Sequence, residues 1–398
     1  IILIDGKPSA LVGASNSDIL NSIPASSIES IELVTNPSAR YDPDGSSGIL
    51  NIILKKRIDG GLNGAVSLNA GTGDKYNGSI NLNYRTPYFN FFSSFDSRLM
   101  NNDNYGNSFR TNELQNSTSF LDQSNEGVFK FNSYNVNAGL DYLYDNFNTF
   151  TFSYRYRKFG MDSDGLVKNN NLDSSYSTTN YFERSSIADR NMGGSNYTLS
   201  YRRTFETKGQ ELTADVILGD FAMDRDEEIT QTNFDLNLNP VNNQLQQGLS
   251  SNSNQQWTIQ SNYINPIEGF GRIETGFKVT IKDLNSKNNY EYYDNVSAIW
   301  TADPLQKTDF DYKENIYAVY GIYSNNINKF QYQIGLRAEQ ANVDGSEAVT
   351  TTSFSKNYFA IYPTVHLVQG LPNDQELQLS YSRRVERPNN RQLNPYVD

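Results

Sequence analysis

Aromatic side chains form the group in this sequence that could most readily bind a ligand. Tyr290, Tyr292, Tyr293 and Trp300 occur within one polar segment, and their rings could stack on a sugar or another flat molecule. Aromatic residues of a loop more often pack against that loop, and this second interpretation is favoured. The four residues remain the aromatic candidates for a substrate-binding site.

Carboxylates suggest a second chemistry, the binding of a cation. Asp42, Asp44 and Gly45 superficially resemble a calcium loop, but the spacing lacks the remaining ligands of an EF-hand. A turn is favoured, since proline fixes φ and aspartate bonds its own backbone. Four other acidic residues could hold a divalent ion or a cationic substrate, although a solvated rim is favoured. They are Asp224, Asp226, Glu227 and Glu228. We therefore predict no metal site.

Catalytic signatures are missing from the sequence. His366 is the only histidine and there is no cysteine, so Cys–His and Ser–His–Asp machinery and His/Cys zinc sites are practically excluded. The 45 acidic residues provide many random carboxylate pairs, so a glycosidase-like pair would not stand out. We predict that the protein is not an enzyme, with neither catalytic residues nor a cofactor.

The elements that must position these groups show the two-residue period of β-strands from Gly60 onward. Between Lys329 and Glu339, for example, Ile334 shares one face with other apolar residues, whereas Gln333 and Arg337 share the opposite face. A dry core would not accept such charges unpaired. The pattern predicts a sheet with one apolar face and one wet face, as in a barrel that crosses a membrane.

Four arginines belong to the wet face of this predicted sheet: Arg155, Arg157, Arg202 and Arg337. We expect them to face a lumen that is filled with water or with a plug. They could line a substrate path, or they could pair with carboxylates of the plug or of neighbouring strands. The sequence leaves both alternatives open.

The lengths of the connections alternate between short and long. Short links fall near residues 86–87, 145–146, 206–209, 267–270, 326–328 and 370–374, and long polar loops are predicted near 100–130, 159–193, 225–254, 284–312 and 342–355. Membrane barrels sort their loops in this way, with tight turns at the periplasmic end and long loops outside. We predict a large antiparallel transmembrane β-barrel over residues 59–398, with about thirteen strands of roughly 9–13 residues.

Composition narrows the remaining classes of protein. The net charge is −12 without a basic run, so nucleic acid is not expected as a partner. The sequence contains no stretch of about 18 apolar residues, so it predicts no transmembrane helix. An odd strand number would leave an open edge that lipid cannot satisfy, and the chain begins without a signal peptide. The expectation is therefore a fragment of a longer outer-membrane protein.

Residues 1–58 differ from the rest and are predicted to form a small α/β unit. Strands are expected at residues 1–4, 28–35 and 48–55, and a short helix at 17–23, with Ser17 as N-cap and Pro24 after its end.

One segment of this unit, residues 28–56, closely resembles the end of the plug domain of TonB-dependent outer-membrane receptors. After the Ile31-Glu32 strand, the matching positions are Pro37, Ser38, Ala39, Tyr41, Gly45, Gly48, Ile49, Asn51, Ile52 and Lys55. Residues 379–395 also look like barrel segments of a subgroup of these receptors. Thr35-Asn36 stands where the family commonly has Arg-Gly. That arginine often seats the plug, so either Arg40 substitutes for it or the docking differs.

The resemblance implies energised uptake of a scarce nutrient, such as a siderophore, an oligosaccharide or a peptide, across the outer membrane of a Gram-negative bacterium. It implies about 22 strands in the parent barrel, and residues 1–58 as the carboxyl-terminal part of the plug. Arg40, Asp42 and Asp44 become substrate-binding candidates at the plug. The implied partners are outer-membrane lipid, the TonB/ExbB/ExbD complex through an upstream segment, the nutrient and a surface lipoprotein. A passive porin-like channel and a surface glycan-binding adhesin are the alternatives.

Overall fold

The computed structural model describes residues 2–4, 7–8, 28–34, 36–44, 48–54, 60–114, 117–373, 375–388 and 392. All of its named elements are strands, and they form a four-stranded sheet and a 14-stranded sheet. The helix predicted at 17–23 lies outside the described residues. Within them, no helix is long and apolar enough to span a membrane.

The large sheet is an antiparallel meander that runs in sequence order from β5 to β18. Its strands are β5 Gly61–Gly71, β6 Lys75–Arg85, β7 Phe89–Leu114, β8 Ser117–Leu143, β9 Asn148–Leu172, β10 Thr178–Thr204, β11 Glu211–Phe234, β12 Pro240–Ile267, β13 Gly271–Asp294, β14 Ile299–Ala302, β15 Thr308–Ile327, β16 Phe330–Glu347, β17 Thr352–Gly370 and β18 Glu376–Ser382. Only β14 lies off the main path, paired with β13. The expected number of main strands is therefore confirmed, and the short links fall where they were predicted.

The long loops were predicted wrongly, because those residues extend the strands. Strands β7 to β13 and β15 to β17 range from 18 residues in β16 to 28 in β12, so the expected length holds only for β5 and β6. Beyond the apolar zone most residues on both faces of the sheet are polar, so the two-residue period of apolar residues is weaker there. The backbone still requires hydrogen-bond partners, and cross-strand pairs such as Asn233 Nδ2 to Asn242 Oδ1 (2.8 Å) support the pairing.

The two faces of the large sheet differ as predicted. We call the face against which the small sheet packs the inner face and the opposite one the outer face. Ile334 and Leu336 are about half exposed on the outer face, whereas Arg337 is only 1% exposed on the inner face. On β9 the outer face is apolar from Phe150 to Tyr156 and becomes polar at Lys158. At about 3.4 Å per residue, this stretch covers about 20 Å along the strand, somewhat less than the apolar band of about 25 Å around membrane barrels.

Segment 313–325, whose facing the sequence left unresolved, follows the same rule. Tyr317 and Val319 are exposed on the outer face, while Ala318, Tyr320 and Ile322 are buried on the inner face. The segment reads as continuously apolar because its inner residues also contact a buried partner.

Aromatic rings form a band on the outer face at the short-turn end of the sheet. Contacting pairs include Phe89–Tyr142, Phe150–Tyr201, Phe270–Tyr323 and Tyr323–Tyr332, with ring centroids 4.8 to 5.9 Å apart. Rings at this level resemble the aromatic girdles of outer-membrane barrels. The band therefore marks one border of the apolar zone.

Arginine scanning of β16 should separate the two faces. Ile334→Arg should lower the free energy of unfolding in lipid vesicles by about 2–4 kcal/mol, because the charge would enter the apolar zone. Gln333→Arg, on the inner face, should cost far less. Urea titration of both variants measures the difference, and equal costs would contradict the assignment of the faces.

The small sheet consists of β1 Ile2–Ile4, β2 Lys7–Pro8, β3 Ile28–Val34 and β4 Ile49–Leu54, in the order β2-β1-β4-β3. Strands β1 and β4 are parallel. Ile2 and Ile52 pack with Phe159, Met192 and Phe221 of the large sheet. This apolar cluster fixes the small sheet against strands β9 to β11.

Candidate functional site

Residues 36–44 connect toward β4 across the inner face of the large sheet, and we call them the seat segment. Its Ala39 is buried together with Tyr320 and Ile322 of β15. Gly335 of β16 allows this close approach, because a Cβ there would lie 2.9 Å from the Cβ of Ala39. The apolar contact places the following acidic residues, Asp42 and Asp44, beside charged strand residues.

Asp42 is the centre of the contact between the seat segment and the large sheet. One carboxylate oxygen of Asp42 lies 2.5 Å from Lys278 Nζ of β13, and the other lies 2.8 Å from Arg337 Nη2 of β16. Arg337 also approaches the carbonyl oxygen of Arg40 at 3.5 Å. A single carboxylate thus joins the seat segment to two strands by charge-assisted hydrogen bonds.

The ion pairs continue from Arg337 along the inner face. Arg337 Nε donates to Glu339 Oε1 at 2.7 Å, and the other oxygen of Glu339 accepts from Arg387 Nη2 at 2.6 Å. Arg387 Nε also lies 3.9 Å from Glu314. Arg337 and Glu339 are almost completely buried, so the remaining charges of this network compensate theirs.

Residues 383–388, which follow β18, also contact the seat segment. The Val385 N–H donates to the Pro43 carbonyl at 3.0 Å. Arg384 Nη2 donates to the Asp44 carbonyl at 3.0 Å, and the Arg387 N–H donates to Asp44 Oδ1 at 3.2 Å. Residues 43 and 44 therefore accept hydrogen bonds from backbone and side-chain donors of residues 383–388.

The charges of this site keep Asp42 ionised. Burial opposes ionisation, but the attraction of Lys278 and then of Arg337 outweighs it and lowers the pKa of Asp42 to about 2. Because the pKa is lower in the folded protein than in the unfolded chain, the ionised carboxylate stabilises the folded state above the ordinary pKa of 3.8. That stabilisation is lost as the pH falls toward 2.

Acid should therefore weaken the wild-type protein more than a variant without this carboxylate. Between about pH 5 and pH 2, wild type should lose a part of its unfolding free energy that Asp42→Asn does not lose. Urea titrations of both proteins across this range measure the loss. Parallel curves would contradict a role for the Asp42 charge.

The structure brings together Arg40, Asp42 and Asp44, which the sequence offered as substrate-binding candidates. Arg40 contributes its carbonyl oxygen, and the two aspartates accept hydrogen bonds from the strand and from residues 383–388. In this contact the carboxylate belongs to the seat segment and the cations belong to the large sheet.

The aromatic candidates lie instead in the extended hairpins of β13 and β14. Tyr293 contacts Trp300 edge to face, with ring centroids 5.4 Å apart. Tyr290 Oη lies 3.4 Å from Glu227, and a hydrogen bond to Asp303 raises the pKa of Tyr292. These rings pack within their own part of the sheet, and their binding of a substrate stays a prediction.

The predicted wet-face arginines occupy different surroundings. Arg157 is 7% exposed on the inner face of β9, and Arg155 lies two positions before it on the same face. Arg202 is largely exposed and pairs with Glu211 at 2.6 Å. Only Arg337 joins the network around Asp42.

The acidic residues 224–228 were placed at a strand mouth, but the structure puts them inside β11. Glu227 pairs with Arg225 at 2.7 Å. No group of three His, Cys, Asp or Glu residues able to hold a metal occurs in the described part of the chain.

Sequence reasoning missed five residues of the network: Lys278, Glu314, Glu339, Arg384 and Arg387. Arg384 and Arg387 had a signal, because the basic run after β18 lies within the resemblance over 379–395. For Lys278 and Glu339 the only signal in the sequence was their position on the wet face of a predicted strand. Lys278 and its partner Asp42 are 236 positions apart, and one sequence does not reveal such a pair.

Comparison with known proteins agrees with the fold. The profile of the Outer membrane protein beta-barrel family matches residues 203–398. The solved structure of the ferric citrate transporter FecA in the unliganded form has a TM-score of 0.52 and 15% identity, over 95% of this chain and 52% of that one. The described sheet is the wall of an outer-membrane β-barrel. No curated protein sequence matches significantly.

Other solved structures align with lower scores. The siderophore receptor PirA from Acinetobacter baumannii has a TM-score of 0.22 and 10% identity, over 96% of this chain and 86% of that one. The ferric yersiniabactin uptake receptor FyuA from Yersinia pestis has a TM-score of 0.30 and 8% identity, over 96% and 76%. The barrel locates the chain in the outer membrane of a Gram-negative bacterium, and the chain spans about half the length of FecA.

Proposed function

We propose that this chain is part of a TonB-dependent receptor that takes up a scarce nutrient across the outer membrane. Residues 1–58 would be the carboxyl-terminal part of its plug, and residues 59–398 a part of its barrel. The observation that carries the proposal is the seating of residues 36–44 on the inner face by buried ion pairs centred on Asp42 and Arg337.

The physical character of this seat suits a plug that must move. Ion pairs and hydrogen bonds act over a short distance and have a defined geometry, so they hold one position and weaken steeply when it is left. Buried ion pairs add little net stability over an apolar contact but are strongly unfavourable when one partner is missing. Such a contact favours one seated position of the plug. It does so without burying a large apolar surface, which would resist removal of the plug from that position.

The partners of the proposed receptor follow from this function. The TonB/ExbB/ExbD complex would pull on the plug, outer-membrane lipid would surround the apolar zone, and a surface lipoprotein could deliver the nutrient. The nutrient would be a siderophore, an oligosaccharide or a peptide. One solved structure of similar fold is that of a ferric citrate transporter.

Energy dependence tests the proposal directly. Strains lacking either this protein or TonB should be grown on limiting ferric siderophores, oligosaccharides and peptides. We expect one nutrient class to fail in both strains. Growth that needs this protein but not TonB would indicate a passive channel. A nutrient panel on which the protein is never needed would favour the surface-binding alternative.

A further inference from the structure

Three aromatic rings stack at the far end of the extended strands. The Phe109 and Phe120 ring centroids are 5.5 Å apart, and those of Phe120 and Tyr176 are 4.4 Å apart with the planes only 8° from parallel. Phe109 is 56% exposed and Tyr176 is 63% exposed. We call these three residues the aromatic stack, and it leaves a ring free on each side of Phe120.

The backbone holds Tyr176 in this stack. Tyr176 has a φ of 61°, a conformation that bulky side chains rarely adopt. The turn is supported by Asp173, whose Oδ1 accepts from the N–H groups of Ser175 at 2.8 Å and Ser177 at 2.9 Å. A large ring at a position suited to glycine, presented to solvent, points to a role for the ring itself.

The aromatic stack lies on the outer face, well past the apolar zone. Strands β7, β8 and β9 pair without a register shift, so Phe109 keeps the facing of the exposed Phe95 and Leu99. It is ten positions beyond Leu99, which corresponds to about 30 Å along the strand. The stack therefore points sideways from the barrel wall, above the lipid, rather than into the lumen.

A groove of about 390 Å³ adjoins the aromatic stack on the same face. Tyr105, which is 77% exposed, forms one wall. The other lining residues include Asn107, Ser124, Glu126 and Lys168, and Lys168 lies 3.9 Å from Glu126. The surface thus combines open aromatic faces with amide, hydroxyl and charged groups at hydrogen-bonding positions.

We infer that the aromatic stack and this groove bind the carbohydrate chains of lipopolysaccharide that surround the barrel. Sugar rings have apolar C–H faces that stack on aromatic rings, and their hydroxyl groups hydrogen-bond to amides and carboxylates. A protein partner would be expected to cover a continuous apolar patch, whereas here single rings alternate with polar groups. Binding at this site anchors the extended hairpins laterally and does not depend on nutrient transport.

The position of the site selects the source of the sugar. A nutrient must enter through the lumen, and its binding residues would face inward. The aromatic stack faces outward, at a height where the outer leaflet of a Gram-negative membrane carries the sugars of lipopolysaccharide.

A matched pair of glycine variants tests the inference. Tyr176→Gly removes the ring at a φ that glycine adopts freely. Leu238→Gly is the control, because Leu238 has a φ of 63° in a turn where Asp235 accepts the same two backbone hydrogen bonds. Calorimetry should use the purified protein in detergent. The ligand should be the delipidated polysaccharide of the lipopolysaccharide from the bacterium that makes the protein.

Wild type and Leu238→Gly should bind this polysaccharide equally, and Tyr176→Gly should bind about tenfold more weakly, the loss expected for one aromatic contact. Retained heat-modifiable gel migration would show that each variant is folded. Equal affinities of the two variants, or no binding by wild type, would overturn the inference. Binding of oligosaccharides from other sources, but not of this polysaccharide, would also overturn the inference, in favour of a nutrient site.

Discussion

Deletion of residues 1–58 from the complete protein should open a large, steady conductance in planar lipid bilayers. With these residues present, the pore should be nearly closed. The reason is geometric, since Ile52 packs on the inner face at Phe159 and Asp42 is held at Arg337. A body fixed at two places on the inner wall obstructs the path that water and ions would follow.

The deletion needs a control for the integrity of the barrel. Heat-modifiable gel migration of the deletion variant should match that of the complete protein. Asp42→Ala should give an intermediate result, with brief openings, because it removes the ion pairs but leaves the apolar cluster. A folded deletion variant whose conductance is unchanged would place residues 1–58 outside the pore and would favour the porin-like alternative.

The strands and their faces could be predicted because lipid imposes a two-residue period on the outer face. On β16, Ile334 and Arg337 alternate in sequence and lie on opposite faces in the structure. The period weakens where the surroundings become water on both sides. Residues such as Asn233 and Asn242 then looked like loops, although their strands remain paired.

The candidate site was predictable only in its local part. Asp42 and Asp44 became candidates through their local sequence and the family resemblance, whereas the turn of this segment lies at residues 39–40. The partners of Asp42, Lys278 and Arg337, lie 236 and 295 positions away. One wet-face cation resembles another in sequence, so Arg202, which is exposed, could not be told from Arg337, which is buried. Burial by the seat segment decides between them.

Replacement of Arg337 by methionine should lower the free energy of unfolding by about 3–5 kcal/mol. The variant keeps roughly the volume of the side chain but leaves Glu339 almost fully buried, with Arg387 as its remaining cationic partner among the described residues. Arg202→Met is the matched control. Its pair with Glu211 is exposed, and such pairs contribute only about 0–1 kcal/mol. Urea titration in lipid vesicles, followed by fluorescence of the two tryptophans, measures both values.

A double-mutant cycle with Asp42→Ala shows whether this loss belongs to the contact between the seat segment and the barrel wall. If Arg337 acts through Asp42, the two substitutions together should cost less than the sum of their separate costs, with a coupling of about 1–3 kcal/mol. Arg202→Met combined with Asp42→Ala should be additive, because the two sites share no partner. Additivity at Arg337 would mean that its stabilising role lies within the barrel wall, through Glu339. The contact of the seat segment with the barrel wall would then depend on Lys278 and on the hydrogen bonds from residues 383–388.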